Sequence, residues 1–449
     1  MKTTWTILLF CWALVSDAET IDVVKAGADP SGKILCTAKI QAAIDQVSAS
    51  GGGKVVVPKG VYKVTALRLK NGVTLHLDEG SLLWPSRDSS DYGDDKLPTV
   101  GAENASDIAV EGKGVIEGGG DFFYGADGVA PKINRPHYVL HFKRCKRLKV
   151  EDVTLRYSMH WTCRLDCCED IVVRGVTIRN RCFSQQNCSD GIDLVCCRRA
   201  LIEKCDIETG DDGICLKSEL NKSIPSDKHP VMSDITVRDC VIATTCNATK
   251  IGTETVGDIE NVLFERITVR KHSNVVGKNP IPSGVCHAAI SLQSNDGAKV
   301  RNIICRDYTI EDCYAPLFIQ LQNRTSHRPC ALGALGSITV ERLTCKRSIA
   351  ASQINVSAGG RIGRVTLTDF DVRSQEVIAE KSGSPKRPAG KYPDADHNGV
   401  MPAYGLFARD VDGLTLHGKM IFRDESGSGR EALILEGVKE FNNTSVTAR

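Results

Sequence analysis

NCSDGIDLVCCRRALIEKCDIETGDDGICLK, the sequence from Asn187 to Lys217, decides the fold. Asp190 stands in a Ser-Asp-Gly turn, and a Gly-Asp-Asp-Gly turn places Asp211 and Asp212 21 and 22 residues later. Alternating apolar residues lie between and after the two turns, as in short strands. This interval matches one circuit of a β-solenoid, whose repeats run to about 20 residues and more. The sequence therefore predicts that neighbouring coils stack the two acidic turns at the strand spacing of about 4.8 Å.

These three carboxylates are candidates for acid and base catalysis. Stacking of the turns would bring Asp190, Asp211 and Asp212 together on one outer face. Hydrolysis of a glycosidic bond needs one carboxyl group protonated and another ionised. Clustered carboxylates raise one another's pKa, so one of them can stay protonated near neutral pH. The alternative for each residue is a purely structural role in its turn.

A degenerate repeat extends the same pattern over residues 105 to 375. Each unit contains two short alternating apolar runs separated by polar residues, and no unit could bury its apolar side alone. A β-sandwich, the competing architecture, would lack a recurring unit. The sequence therefore predicts an all-β solenoid. The clearest units begin at Ser106, Lys146, Glu169, Arg198, Ser233, Ile259, Gly336 and Gly360.

Two segments interrupt the strand pattern. Near the N-terminus, a helix is predicted from about Ala38 to Val47, with Thr37 as its cap and one apolar face. We expect this short helix to cap the solenoid. Near the C-terminus, the segment Ser382 to Pro402 is rich in Pro, Gly, Lys and Asp. It is expected to be a long solvated loop or a substrate-facing insertion.

Composition limits the possible partners and the compartment. With 41% hydrophobic residues and a net charge of +2, the chain has no bulk attraction to nucleic acid or to anionic membranes. The apolar run Ile7 to Val15 follows Lys2 and ends at Ser16-Asp17-Ala18, which is typical of a secretory signal peptide. Residues 1–18 are therefore predicted to be removed. Residues 19–449 would form one exported domain, secreted or periplasmic, and a monomer.

The chain contains 19 cysteines, and loss of Cys11 with the signal peptide leaves an even number. An even count in an exported chain favours several disulfides. A second interpretation is a buried ladder, because Cys205, Cys240 and Cys305 occupy similar places in their repeats and free Cys behaves as a small hydrophobe. Both interpretations stay open for different positions. Metal binding is disfavoured, since no spacing matches paired Cys-x2-Cys zinc sites.

The run from His160-Trp161-Thr162 through CSDGID and TGDDGICLKS to KIGTET resembles glycoside hydrolase family 28, the polygalacturonase family. The earlier AGADPSG, GGGKVVVPKG and LHLDEGSLL are also similar to its usual opening. The resemblance implies a right-handed, single-stranded parallel β-helix and hydrolysis with inversion at the anomeric carbon. It implies that Asp211 is the general acid, and that Asp190 and Asp212 hold and deprotonate the attacking water.

Two departures from the family pattern bear on the substrate. The family carries a Gly-His-Gly motif, and the position of its His falls near Asn247 in this chain, which has no His there. The family's Arg-Ile-Lys triplet, which grips the galacturonate carboxylate, is absent from the corresponding stretch at His287. The stretches beginning at Lys250 and Pro316 are more similar to bacterial-type and rhamnogalacturonan-directed members.

An anionic substrate still requires cations to meet its carboxylates. Lys217 and Lys250 are the best placed candidates, and Arg324 is a third. Glu254 and His287 are candidates to line the same cleft. A solvated or structural role is the alternative for each of the five.

The sequence thus predicts a secreted, inverting glycoside hydrolase that cleaves α-glycosidic bonds of a pectic polysaccharide, without a metal or organic cofactor. Rhamnogalacturonan-directed and exo-acting specificity both stay open. One alternative is a β-helix polysaccharide lyase, which would use Ca²⁺ bound by the acidic cluster. The other is a non-catalytic glycan-binding solenoid.

Overall fold

The computed structural model describes residues 19–93, 97–124, 135–183, 188–273, 275–276, 284–328, 330–375, 385–444 and 446–448. The predicted signal peptide lies outside the described residues. Among the described residues, no helix is both long and apolar enough to cross a membrane.

The chain winds into a right-handed parallel β-helix with three faces, in which each strand pairs in parallel with the equivalent strand of the next coil. The first face is formed by Glu19–Asp22, Gly53–Val57, Val73–Leu77, Ser106–Gly112, Lys146–Glu151, Glu169–Arg174 and Arg198–Glu203. The second face is formed by Ser31–Leu35, Gly60–Val64, Ser81–Pro85, Val115–Glu117, Thr154–Arg156, Thr177–Arg179 and Asp206–Thr209. Longer strands then cross both faces: Met232–Thr244, Ile259–Arg270, Lys299–Ile310, Ala334–Ser348, Ile362–Ser374 and Val411–Asp424, on which Glu440–Asn443 and Val446–Ala448 pair.

The third face carries the candidate active site, and we call it the site face. Its strands are Leu67–Arg68, Val100–Glu103, Leu140–Lys143, Cys163–Asp166, Ile192–Val195, Ile214–Lys217, Asn247–Ile251, Cys286–Ser294, Cys313–Leu321, Ser352–Val356, Ala403–Arg409 and Glu431–Glu436. A separate pair joins Cys182–Phe183 to Val275–Val276. Short helices occur at Ser89–Asp91, Gly120–Phe123, Ser226–Lys228 and Ala395–Asn398.

The predicted N-terminal helix is confirmed, and it spans Thr37–Ala49. Its buried residues are Ile40, Ala43, Ile44 and Val47, the face expected from the sequence. Thr37 is not the cap: the helix begins at this residue, and its hydroxyl instead accepts a hydrogen bond of 2.9 Å from the backbone of Thr65.

One left-handed residue makes the corner between the first and second faces in each of the later coils. Asp239, Arg266, Asp307 and Arg342 occupy this position with φ between 52° and 60°. Opposite charges meet along the corner, because Arg266 Nε lies 2.6 Å from Asp239 Oδ1 and Arg342 Nε lies 2.6 Å from Asp307 Oδ1. A single left-handed residue is enough to turn the chain without interrupting the strand.

Inside the coil, side chains from successive strands stack in register. One such column runs Ile202, Val237, Phe264, Cys305 and Val340, each paired with the next. A single cluster of buried apolar residues extends from Val23 to Phe422. No coil could bury these residues alone, so each coil depends on its neighbours for its core.

Every cysteine whose side chain the structure describes is a free thiol, and most are buried. The expected disulfides are therefore wrong for these residues. The ladder is correct for Cys205 and Cys240, which are neighbours, but wrong for Cys305, which stacks between Phe264 and Val340. In-register stacking places thiols of adjacent coils side by side in the apolar interior, where they pack as small hydrophobes.

Truncation of a side chain inside the column should lower the free energy of unfolding far more than loss of an ion pair at the corner. Phe264→Ala removes a fully buried ring, and we expect it to lower the free energy of unfolding by about 3–5 kcal/mol. Arg266→Gln breaks an exposed pair and should cost about 0–1 kcal/mol. Urea denaturation of both variants measures the difference, and equal losses would contradict the stacked-core interpretation.

Alkylation tests the free thiols. Protein unfolded without reductant should be fully modified at every cysteine whose side chain is described, and native protein should react first at the exposed Cys188. Peptide mass spectrometry gives the modified positions, with a pre-reduced sample as the control. Recovery of a disulfide-linked peptide would contradict the expected result.

Candidate active site

The three predicted carboxylates come together on the site face, immediately before its strands begin. Ile192 pairs with Ile214, and Ile214 pairs with Thr249, so Asp190, Asp212 and Asn247 stand at equivalent positions of three successive coils. The predicted circuit of 22 residues is confirmed by this register. Asn247 occupies the coil position expected for the family's His.

Glycine follows each of these Asp residues because the backbones approach too closely for a side chain. A Cβ added to Gly191 would lie 2.4 Å from the carbonyl oxygen of Gly213. A Cβ added to Gly213 would lie 2.6 Å from the carbonyl oxygen of Ala248. The Asp-Gly motifs thus keep the turns stacked directly on one another, and that stacking brings the carboxylates together.

Asp212 is held as a carboxylate. Lys250 Nζ lies 2.8 Å from Oδ2, and Asn247 Nδ2 donates a hydrogen bond of 2.8 Å to Oδ1. Burial raises the pKa of Asp212, but the positive charges of Lys250 and Lys217 outweigh it and lower the pKa to about 2. Asp212 is therefore ionised across the ordinary pH range.

The pKa of Asp211 is shifted in the opposite direction, upward. Burial and the adjacent Asp212 carboxylate raise its pKa to about 6, against the attraction of Lys250 and Lys217. Carboxylate oxygens of Asp211 and Asp212 and the sulfur of Cys246 lie within 4.8 Å of one another. Asp211 is also the more exposed of the two carboxyl groups. The site thus holds a proton donor beside an ionised carboxylate.

A second acidic pair surrounds Lys217. Its Nζ lies 3.3 Å from Asp190 Oδ2 and 3.3 Å from Asp193 Oδ1. Burial and the Asp193 charge raise the pKa of Asp190 well above its ordinary value. Asp193 was missed in the sequence, although its place in the strand Ile192–Val195, between two core residues, indicates an outward side chain.

Aromatic residues line the side of the site next to Lys217. The ring of Trp161 lies 3.9 Å from Lys217 Nζ, within the range of a cation–π contact. His160 stacks on His137 with ring centroids 4.4 Å apart. Burial, with the neighbouring His137 and Lys217, lowers the pKa of His160 to about 2, so its imidazole is neutral.

The remaining predicted residues extend away from the carboxylates. Glu254 lies between two cations, with Lys217 Nζ and Arg324 Nη1 each 3.8 Å from its oxygens. Arg324 itself is buried, and its Nε donates a hydrogen bond of 2.9 Å to Asp296. His287 stands two coils beyond Asp211, because Cys246 lies between them in register. Direct substrate contact by Lys217, Lys250, Arg324, Glu254 or His287 stays a prediction.

Residues 385–398, which belong to the described part of the C-terminal segment, form a wall of the site. Amide side chains of the site face donate hydrogen bonds to its carbonyl oxygens. This segment places Tyr392 next to the acidic cluster, with the ring centroid 5.6 Å from Lys250 Nζ. The bonds are Gln322 to Lys391, 2.8 Å; Asn355 to Lys386, 2.8 Å; Gln353 to Ala395, 3.0 Å; and Gln293 to Pro393, 3.2 Å.

Comparison with known proteins places this site in a family. The model of the Glycosyl hydrolases family 28 matches residues 48–312, which include all three stacked carboxylates. The chain belongs to this family. It is a family of glycosidases, and the resemblance predicted from the sequence is confirmed.

Individual relatives agree with this assignment. A probable polygalacturonase of Vitis vinifera is 26% identical over 323 residues, which are 67% of this chain and 61% of that protein. The chain thus spans less than two thirds of that relative. Among solved structures, an exopolygalacturonase from Thermotoga maritima has a TM-score of 0.67 at 18% identity and covers 89% of this chain and 92% of its own. A polygalacturonase from Erwinia carotovora has a TM-score of 0.59 at 15% identity, with 82% and 96% covered. The predicted parallel β-helix is confirmed.

Proposed function

We propose that this family 28 protein is an exported hydrolase that cleaves an α-glycosidic bond next to galacturonic acid in a pectic polysaccharide. The observation that carries the proposal is the contact of Lys250 with Asp212 beside the more exposed Asp211, which shifts the pKa values of the two carboxyl groups in opposite directions. Adjacent carboxyl groups whose surroundings separate their pKa values provide an acid and a base at one place. The relatives named above as polygalacturonases support the pectic substrate.

The proposed reaction gives each carboxyl group one role. Asp211 donates its proton to the glycosidic oxygen as the bond from that oxygen to the anomeric carbon breaks. Water attacks the same carbon, and its proton passes to Asp212. Asp190, stacked beside Asp212, orients this water. Lys250 and Asn247 are positioning residues, since they fix the Asp212 carboxylate and keep it ionised.

We propose inversion of configuration, although the carboxyl groups are close. Oxygens of Asp211 and Asp212 within 4.8 Å are nearer than the roughly 6.5–9.5 Å usual for inverting pairs. Two arrangements favour inversion nevertheless. Both Asp212 oxygens are engaged by Lys250 and Asn247, which hinders covalent attack. Asp190 supplies a second carboxyl group on the neighbouring coil to hold a water.

The segment 385–398 supports an anionic substrate. The buried ammonium groups of Lys217 and Lys250 already form ion pairs with carboxylates of the protein. Lys386 and Lys391, in contrast, are exposed and line a cavity of about 650 Å³ together with Tyr392. We propose that these two lysines meet the carboxylates of the polysaccharide, in place of the missing Arg-Ile-Lys triplet.

Loss of the acid should abolish turnover and leave the fold intact. Asp211→Asn is expected to lower kcat by about 10²–10⁴-fold, because a positioned proton donor contributes a factor of this size. Reducing-end release from homogalacturonan, rhamnogalacturonan and xylogalacturonan measures it. Asp307→Asn, at an outer corner, is the matched control and should keep full activity. Comparable activity of Asp211→Asn would reject its role as the acid.

The configuration of the first product tests inversion separately. Proton NMR of the early reaction mixture should detect the β-anomer, since the bond cleaved is α. An initial α-anomer would indicate retention. A product that absorbs ultraviolet light through a new double bond would indicate a lyase.

Lys250 should set the acidic limit of activity. Asp211 is protonated below about pH 6, so wild-type kcat/KM should fall as the pH rises through that value. Asp212 stays ionised above about pH 2. Lys250→Met removes the nearby positive charge, and the acidic limit should move to higher pH by about 1–3 units. Lys250→Arg and the exposed Lys146→Met should leave it in place, and an unmoved limit in Lys250→Met would contradict this role.

A further inference from the structure

A second cluster of titratable groups lies where the segment 385–398 meets the site face. His287 belongs to the strand Cys286–Ser294, and Asp394 and Asp396 belong to the segment. His287 Nδ1 lies 3.8 Å from Asp394 Oδ2 and 3.8 Å from Asp396 Oδ1. One atom from each residue lies within 4.8 Å of the other two. Two carboxylates and an imidazole therefore converge from separate parts of the chain.

His287 and Asp394 are buried, Asp396 is partly buried, and each of the three has a buried polar atom without a hydrogen-bond partner. His287 is 8% exposed and Asp394 is 2% exposed. His287 Nδ1, Asp394 Oδ1 and Asp396 Oδ1 have no hydrogen-bond partner. Buried polar atoms nearly always have a partner, so unpaired atoms on all three side chains of one cluster require an explanation. A separation of 3.8 Å is too long for a hydrogen bond, but both atoms can reach one ion at bond lengths of about 2.0–2.2 Å.

The other two acidic clusters of the described chain differ in their charge balance. Lys217 lies among Asp190 and Asp193, and Lys250 lies 2.8 Å from Asp212. Among the described residues, no Lys or Arg nitrogen lies within 4 Å of the Asp394 or Asp396 carboxylate. The cluster at His287 thus has two carboxylates without a paired lysine or arginine.

We propose that His287, Asp394 and Asp396 bind a divalent first-row transition ion that fastens the segment 385–398 to the site face. One imidazole nitrogen and two carboxylate oxygens suit Mn²⁺ or Zn²⁺ better than Ca²⁺, which takes oxygen ligands, or Cu⁺, which takes sulfur. The ion is structural: it fixes the segment that carries Tyr392. The proposal does not depend on the proposed glycosidase activity.

Binding of Mn²⁺ to the metal-stripped full chain tests the site. Mn²⁺ is the probe because it avoids thiols, and electron paramagnetic resonance gives the bound fraction. We expect one Mn²⁺ per chain. We expect Asp394→Asn, Asp396→Asn and His287→Gln each to weaken Mn²⁺ binding by at least about 10-fold. Loss of a residue that only hydrogen-bonds to a metal ligand already costs about this factor in affinity. Asp412→Asn, an exposed carboxylate elsewhere, should bind as the wild type does.

Hydrogen exchange gives a second readout that does not involve activity. Mn²⁺ should slow exchange of the backbone amides of residues 385–398 in the wild type, and leave it unchanged in Asp396→Asn. Asp396 is partly exposed, so this variant should fold. Mn²⁺ binding of equal strength in all variants would overturn the proposal. Absence of Mn²⁺ binding would overturn it too, and would indicate that a protonated His287 neutralises the two carboxylates instead.

Discussion

The parallel, in-register stacking of coils is the constraint on which the site depends. Each strand of the site face adds one coil, and the circuit from Ile192 to Ile214 places Asp190 directly beside Asp212. A slip of one residue would turn the outward side chains into the core. Gly191 and Gly213 make the slip costly, because only glycine permits the backbone contact at the turn. The packing of the coil and the geometry of the carboxylates are therefore one property.

The fold makes these carboxyl groups neighbours, and the positions of nearby positive charges then give them different pKa values. Four of them, Asp190, Asp193, Asp211 and Asp212, share two buried lysines. Lys250 makes its closest contact with Asp212, and that contact leaves Asp211 with the higher pKa. The acid and the base are thus separated by the position of one ammonium group, not by any difference in residue type.

The features of the site that repeat from coil to coil could be predicted from the sequence, and those contributed by a non-repeating segment could not. The circuit length, the helix and the stacking of Asp190 with Asp212 follow from patterns that recur at fixed spacing. Tyr392 and Asp394 could not be found in this way, because a non-repeating segment brings them to the site from far along the chain. The disulfide expectation failed for a related reason. Counting cysteines ignores register, and register places thiols such as Cys205 and Cys240 on adjacent coils as packed neighbours.

The non-repeating segment also explains the polar side chains of the later site-face strands. An outward glutamine on a bare face would simply be solvated. Gln322, Gln353 and Asn355 are instead buried, and each donates to a carbonyl oxygen of the segment. Because these amides come from two successive coils, they hold the segment along the axis of the β-helix. A repeating scaffold thereby gains a non-repeating wall, and this wall places Tyr392 beside carboxylates that the repeat alone has stacked.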